Sequence, residues 1–257
     1  MRRKSPLDHV FHVKTRSYIV LLLWLSALCA SAQEYHGTTG LLQVPNAEID
    51  SAGTFRGGVS FLHREFLPAQ MPKKNTLSYA VGITPFRWLE MSYAAALLYM
   101  HKNSNPKEPM GYYNEDRRVN VKVSPLYEGK WWPAIAIGMD DVGRWDRIKD
   151  GNNKNNYFQN IYIAGSKHFN IKGYELGAHL AYRYYPSNVN RDRRGVSGGI
   201  SFRPGFYRPL RLVGEWDAIG VNVGVDVLLW RHLFLQAALV HGQGFTGGIG
   251  YHYTIEH

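Results

Sequence analysis

The chain has 257 residues, a formal net charge of +10, 14% aromatic residues and a mean hydropathy of −0.31. After the first thirty residues there is no apolar run of about 18 residues, which excludes a helical membrane protein. The length suits one large domain or two small ones, and the 17 Tyr, 7 Trp and 26 Gly favour strands.

Residues 1–32 predict a cleaved signal peptide. Basic residues precede an apolar stretch from Ile19 to Leu28, which is too short for an uncleaved anchor, and Ala30-Ser31-Ala32 matches a cleavage site. Cleavage would remove Cys29, the only cysteine, and with it any thiol chemistry. Because five Lys or Arg and one Asp would also leave, the net charge would fall to about +6. For an exported basic chain we expect anionic glycans or lipid head groups as partners, and no nucleic acid.

Residues 33–53 lack the alternation of a strand, and Gly37, Gly40 and Pro45 interrupt them. Two interpretations remain open for this segment. It is either a periplasmic lead-in or a plug that enters a barrel formed by residues 54–257.

From Thr54 onward the sequence predicts twelve short strands, most with one apolar face. The clearest is Val221–Val227, in which valine alternates with Asn, Gly and Asp. A soluble sandwich would bury these valines, whereas a membrane barrel would turn them to lipid. The predicted strands are roughly 54–63, 75–84, 88–100, 115–124, 132–140, 157–168, 174–185, 195–203, 209–217, 220–229, 233–241 and 245–253.

The connections favour the membrane barrel. Those after odd-numbered strands are long and polar in the first four cases, although the last two are short, and those after even-numbered strands are all short. Outer-membrane barrels show this asymmetry, and the short turns carry aromatics suited to an interfacial girdle. The fold prediction is therefore all-β: a single antiparallel transmembrane β-barrel of about 12 strands in the cell outer membrane. The girdle candidates are Phe86, Trp88, Trp131, Trp132, Tyr207 and Trp230.

If the aliphatic faces meet lipid, the polar faces line the lumen. Charges of both signs there predict either internal ion pairs or a polar path through the barrel. The candidate lumen cluster consists of Glu90, Arg118, Lys122, His179, Arg183, Arg211, Glu215, Asp217, Asn222 and Asp226.

A hairpin at Ala218-Ile219 should bring the carboxylates of Glu215, Asp217 and Asp226 close together. Such groups can perform acid–base chemistry or bind a cation such as calcium. Pairing with the many lumen Arg and Lys side chains is the favoured interpretation, since no nucleophile or substrate site is recognisable nearby.

No catalytic or metal motif is recognisable in the sequence. There is no G-x-S-x-G and no Cys/His spacing of a zinc site, so we expect no catalytic residue, no metal and no cofactor. A lipid-modifying enzyme stays open as an alternative. Its candidate side chains are His179, His241 and His252 with Ser60, Ser166 and Ser201.

Four stretches together resemble a known family. They are Gly37–Ala47 with Ala52-Gly53, Pro133–Asp141, Ser166–Phe169, and Glu215-Trp216-Asp217 running into Asn222–Val225. Their order and spacing are similar to the YjbH-like family of Gram-negative outer-membrane proteins, linked with exopolysaccharide production. The resemblance covers most of the mature chain. Longer relatives carry additional barrel-like sequence, and this chain ends Tyr253–His257 without the usual terminal aromatic.

The resemblance implies a β-barrel, no known catalytic activity, and a role near the secretion or assembly of an extracellular polysaccharide. We therefore expect a non-enzymatic accessory in exopolysaccharide export or assembly, or in envelope organisation. The expected partners are outer-membrane lipids, lipopolysaccharide, an anionic polysaccharide and export-machinery proteins. A passive pore for small polar solutes is the other alternative.

Overall fold

The computed structural model describes residues 34, 37–68, 74–102, 105–142, 157–186 and 188–255. Across these residues the chain forms a closed antiparallel barrel of twelve strands, in which each strand pairs with its sequence neighbours and β1 pairs with β12. The predicted signal peptide lies outside the described residues. The strands are β1 Thr54–Leu62, β2 Thr76–Phe86, β3 Leu89–His101, β4 Met110–Leu126, β5 Ala134–Asp140, β6 Asn160–Ile171, β7 Tyr174–Tyr184, β8 Gly195–Arg203, β9 Leu210–Trp216, β10 Val221–Leu229, β11 Leu233–Val240 and β12 Gly244–Thr254.

The barrel turns its apolar side chains outward and its polar side chains inward. In β10, Val221 and Val223 are 61% and 50% exposed, while Asn222 and Asp226 are buried. This is the opposite of a soluble sandwich, and closure leaves no strand edge unpaired. The predicted transmembrane barrel of about 12 strands is therefore confirmed.

The boundary of one strand was predicted wrongly. β4 begins at Met110, although residues up to 114 were predicted as loop. The pairing of β3 with β4 continues beyond a register shift between Leu98 and Tyr99. The ring of Tyr99 packs edge-on against the ring of Tyr112, with centroids 5.1 Å apart. A bulge of this kind has no signature in the alternation of one strand alone.

The two ends of the barrel differ. We call the end with the connections after even-numbered strands the short-turn end, and the opposite one the long-loop end. At the short-turn end Phe86 stacks on Trp88 with centroids 5.5 Å apart, and Trp131 and Trp230 are exposed. The turn between β6 and β7 is only Lys172 and Gly173, both at positive φ, as a tight hairpin requires.

An apolar cluster lies inside the barrel toward the long-loop end, although the sequence had predicted a polar lumen. Phe66, in a short 3-10 helix after β1, is buried in it together with Leu62, Leu98 and Val240. Residues from the N-terminal segment complete the cluster. Among the described residues no helix is long and apolar enough to cross a membrane.

Candidate functional site

The N-terminal segment lies within the lumen. We call residues 37–50 the plug segment. It folds as a tight hairpin, with a bridge between Gly40 and Pro45 and a hydrogen bond from Leu41 N–H to the Val44 carbonyl at 3.0 Å. Gly37 has a φ of +88°, and a Cβ there would lie 2.8 Å from the Cβ of Ala80 on the barrel wall. Only glycine fits such a position without displacement.

The carboxylate of Glu215 binds the tip of the plug segment. It accepts the backbone N–H groups of Leu42, Gln43 and Val44 at 3.0, 2.9 and 3.1 Å. It also accepts the side-chain amide of Asn222 at 2.9 Å. Successive N–H groups around one anion form a concave site, and hydrogen bonds to a buried charge are stronger than neutral ones. Glu215 therefore holds the plug through its backbone.

A second anchor surrounds Thr39. Glu90 accepts the Thr39 N–H at 3.2 Å and pairs closely with Arg56. Lys122 Nζ donates to the Thr39 carbonyl at 2.9 Å and to Asn46 Oδ1 at 3.3 Å. Because these charged groups are buried, their mutual pairing offsets the cost of removing them from water.

Two arginines contact plug carbonyls on other sides of the lumen. Arg211 donates to the Gly40 carbonyl at 3.0 Å and pairs with Asp226 at 3.0 Å. Arg183 donates to the Gln43 carbonyl, also at 3.0 Å. The backbone polar groups of the plug are thus met by wall side chains of both signs.

Asp217 belongs to the rim of the long-loop end. It accepts from Asn222 at 3.1 Å, from the Gly220 N–H, and lies 3.0 Å from His241 and 3.9 Å from Arg193. Burial alone would raise its pKa. The charge of Arg193 and the hydrogen bonds of Gly220 and Asn222 outweigh burial and lower the pKa of Asp217 below its usual range.

The ten predicted lumen residues all lie buried within the barrel, but in several groups. Asp226 pairs with Arg211, as the favoured interpretation expected, whereas Glu215 binds backbone N–H groups of the plug. Arg118 stacks over the Phe158 ring at 4.0 Å. The binding of the plug segment to side chains of the barrel wall was not predicted, because it uses backbone N–H groups, which do not depend on residue type.

His179 lies between two serines. Its Nδ1 is 2.9 Å from Ser166 Oγ and its Nε2 is 3.0 Å from Ser201 Oγ. Ser166 Oγ also accepts the Ala47 N–H of the plug at 2.9 Å. A hydroxyl within hydrogen-bonding distance of an imidazole is one requirement of a serine nucleophile. The group that orients this imidazole from its other side is a second hydroxyl, that of Ser201, and not a carboxylate.

A last cluster lies nearer the short-turn end. His168 Nε2 is 2.9 Å from Glu48 Oε1 of the plug segment, and His168 Nδ1 is 2.7 Å from Glu128 Oε2. Glu48, His168 and His179 place ligand atoms within 4.8 Å of one another. These three residues could hold a metal ion.

Comparison with solved structures returns barrels of low similarity. Outer membrane phospholipase A from Escherichia coli is 10% identical, with a TM-score of 0.36 over 80% of this chain and 98% of that one. The calcium-bound phospholipase dimer from Salmonella typhi is 12% identical, with a TM-score of 0.35 over 79% and 89%. The β domain of the Bordetella autotransporter BrkA is 16% identical, with a TM-score of 0.28 over 80% and 100%.

Comparison with curated protein sequences gives no match. The YjbH family model, described as exopolysaccharide biosynthesis protein YbjH, matches residues 32–177. That span includes the plug segment and the strands from β1 to the start of β7. The chain therefore belongs to the YjbH family of exopolysaccharide biosynthesis proteins.

Proposed function

We propose that this protein resides in the outer membrane and serves exopolysaccharide export or assembly as a non-enzymatic accessory whose lumen is closed by its own N-terminal segment. The main support for a closed lumen is the Glu215 carboxylate, which accepts hydrogen bonds from three successive backbone N–H groups of the plug segment. Family membership supports the connection with exopolysaccharide.

The filling of the barrel supports an accessory role over passage of polymer. Leu41, Leu42 and Val44 of the plug segment pack into the apolar cluster with Leu62 and Phe66. A twelve-stranded barrel has a bore between a filled eight-stranded barrel and a water-filled porin, so a hairpin can occupy it. With the plug in place, a polysaccharide chain has no path, and the protein acts through its surfaces.

Those surfaces fit the proposed partners. The exposed aliphatic faces, such as Val223 and Ile200, suit the hydrocarbon of the outer membrane. At the long-loop end, Lys74 lies between β1 and β2 and Arg191 lies between β7 and β8, and both are exposed. Cationic groups at this position attract the phosphates of lipopolysaccharide or an acidic polysaccharide, while export-machinery proteins would meet the short-turn end.

The test is polysaccharide output in a producing strain that carries chromosomal variants. Loss of the chain, and Glu215→Gln, should each reduce extracellular polysaccharide while envelope lipids stay unchanged. Glu175→Gln is the matched control, because Glu175 pairs with Arg203 and Arg208 and not with the plug. Unchanged polysaccharide after loss of the whole chain would contradict the proposal.

A lipid-modifying enzyme is a second candidate, favoured by the 2.9 Å contact between Ser166 and His179. The assay is hydrolysis of phospholipid in detergent micelles by the purified protein, compared with Ser166→Ala. We expect no turnover by either form. Turnover that Ser166→Ala abolishes would replace the accessory role with an acyl hydrolase.

A further inference from the structure

Three side chains with metal-ligating atoms converge from separate parts of the chain. Glu48 comes from the plug segment, His168 from β6 and His179 from β7. Their ligand atoms all lie within 4.8 Å of one another. The accessory role proposed above does not use them.

The geometry suits a small ion. Around a tetrahedral Zn²⁺ with bonds of about 2.0–2.1 Å, neighbouring ligand atoms lie roughly 3.3 Å apart. Glu48 Oε1 and His168 Nε2 are already 2.9 Å apart, and the rings of His168 and His179 meet edge-on with centroids at 5.5 Å. Small side-chain movements therefore admit an ion between the three groups.

The surroundings orient the ligands as in known zinc sites. Glu128 Oε2 accepts a hydrogen bond from His168 Nδ1 at 2.7 Å, so Nε2 is the ring nitrogen that can bind an ion once it releases the proton that it donates to Glu48 Oε1. His179 contacts Ser166 and Ser201, so it can exchange one hydroxyl for an ion and keep the other as its orienting partner.

Charge and access also favour binding. Arg211 Nη1 lies 3.6 Å from Glu48 Oε2, but the carboxylate of Asp226 compensates the Arg211 charge at 3.0 Å. The side chains of His168 and Glu48 are 20% and 12% exposed. An ion can therefore reach the site from the short-turn end.

We propose that Glu48, His168 and His179 bind one divalent transition-metal ion of the zinc class, which links the plug segment to the barrel wall. Two imidazoles and one carboxylate select zinc over calcium or magnesium, which prefer sites made of oxygen ligands. Bound zinc would hold the plug closed at a second place, remote from Glu215. The sequence spacing gave no sign of it, because the ligands are at positions 48, 168 and 179.

The test uses the full protein purified from membranes in detergent, treated with chelator, and titrated calorimetrically with zinc chloride and with calcium chloride. We expect one zinc per chain and no comparable calcium binding. Glu48→Gln and His168→Gln should each weaken zinc binding at least tenfold. Glu128→Gln should weaken it roughly 10- to 100-fold, as outer-shell partners do.

His241→Gln is the control, because His241 also lies 3.0 Å from a carboxylate, that of Asp217. It is located at the rim of the long-loop end, away from the proposed zinc site. The variant should bind zinc as the parent protein does. Heat-modifiable migration on gels verifies that each variant is a folded barrel, and Glu48→Gln leaves the wall sequence intact if His168→Gln fails to fold. No zinc binding by the parent, or equal binding by Glu48→Gln, would overturn the proposal.

Discussion

The Glu215 carboxylate on β9 accepts the backbone N–H of Gln43 at 2.9 Å, although the two residues are 172 positions apart in the chain. This contact joins the barrel wall to a segment that precedes every strand. Because the flanking Leu42 and Val44 N–H groups share the same carboxylate, the plug is held as a unit. The plug segment and β9 are thus joined by three hydrogen bonds to one carboxylate.

Replacing Glu215 should loosen the plug. Glu215→Ala leaves three buried N–H groups without their acceptor, and we expect a cost on the order of 3 kcal/mol, about a hundredfold in the population of the open state. A cysteine introduced at Leu41, which is fully buried, reports opening through its rate of labelling by a thiol reagent. Glu175→Ala in the same L41C background should leave labelling slow. Equal rates in the two backgrounds would contradict the role of Glu215.

The buried pair of Arg211 and Asp226 should be coupled energetically. Arg211→Met alone removes the cation nearest to the Asp226 carboxylate, and Asp226→Asn alone leaves Arg211 with only the more distant carboxylate of Glu48 at 3.6 Å. We expect each to cost about 3 kcal/mol, and the double variant to cost less than the sum by roughly 1 kcal/mol or more. The free energies come from urea unfolding in lipid vesicles. Strictly additive changes in the free energy of unfolding would show that the two residues are not energetically coupled.

The outward faces should tolerate charge only near the barrel ends. Val223→Arg should destabilise the barrel by about 2–4 kcal/mol if Val223 faces the middle of the bilayer. Val221→Arg, at the start of β10, should cost about 1 kcal/mol or less. The same vesicle unfolding assay compares them. Full tolerance of Val223→Arg would refute the assigned register.

The contacts of Asp217 at the rim of the long-loop end predict that the stability of the barrel depends on pH. Because the pKa of Asp217 is lowered in the folded protein, its stabilising contribution is fully present above its unfolded pKa of about 3.9. The contribution is lost as pH falls through the lower folded-state pKa. Asp217→Asn should therefore be less stable than the parent at pH 7, and the difference should shrink below about pH 4. A constant difference across that range would exclude the carboxylate charge as the cause.

The barrel was largely predictable because strand alternation is a local signal. The alternation of Val221 and Val223 with polar neighbours predicted β10 as a strand with one apolar face, and the pattern of long and short connections favoured turning that face outward. The extension of β4 to Met110 was missed, because it depends on a shift of register against β3. Local patterns carry no information on how far two strands continue to pair.

The contents of the lumen were less predictable. The position of residues 33–53 was left open between a lead-in and a plug, since their contacts are made by backbone groups. Leu62, Leu98 and Val240 lie inside the barrel beside plug leucines, where alternation had suggested polar residues. These inward apolar side chains are explained by the apolar residues of the plug segment that pack against them, and those residues come from a distant part of the sequence.

The most direct measurement is the single-channel conductance of the purified protein in planar bilayers. The parent chain is compared with a chain that lacks residues 37–50, both verified as barrels by heat-modifiable migration. A closed lumen predicts silence in the parent and steady current after removal of the plug segment. Steady current through the parent chain, or silence of the folded chain without its plug, would contradict the account.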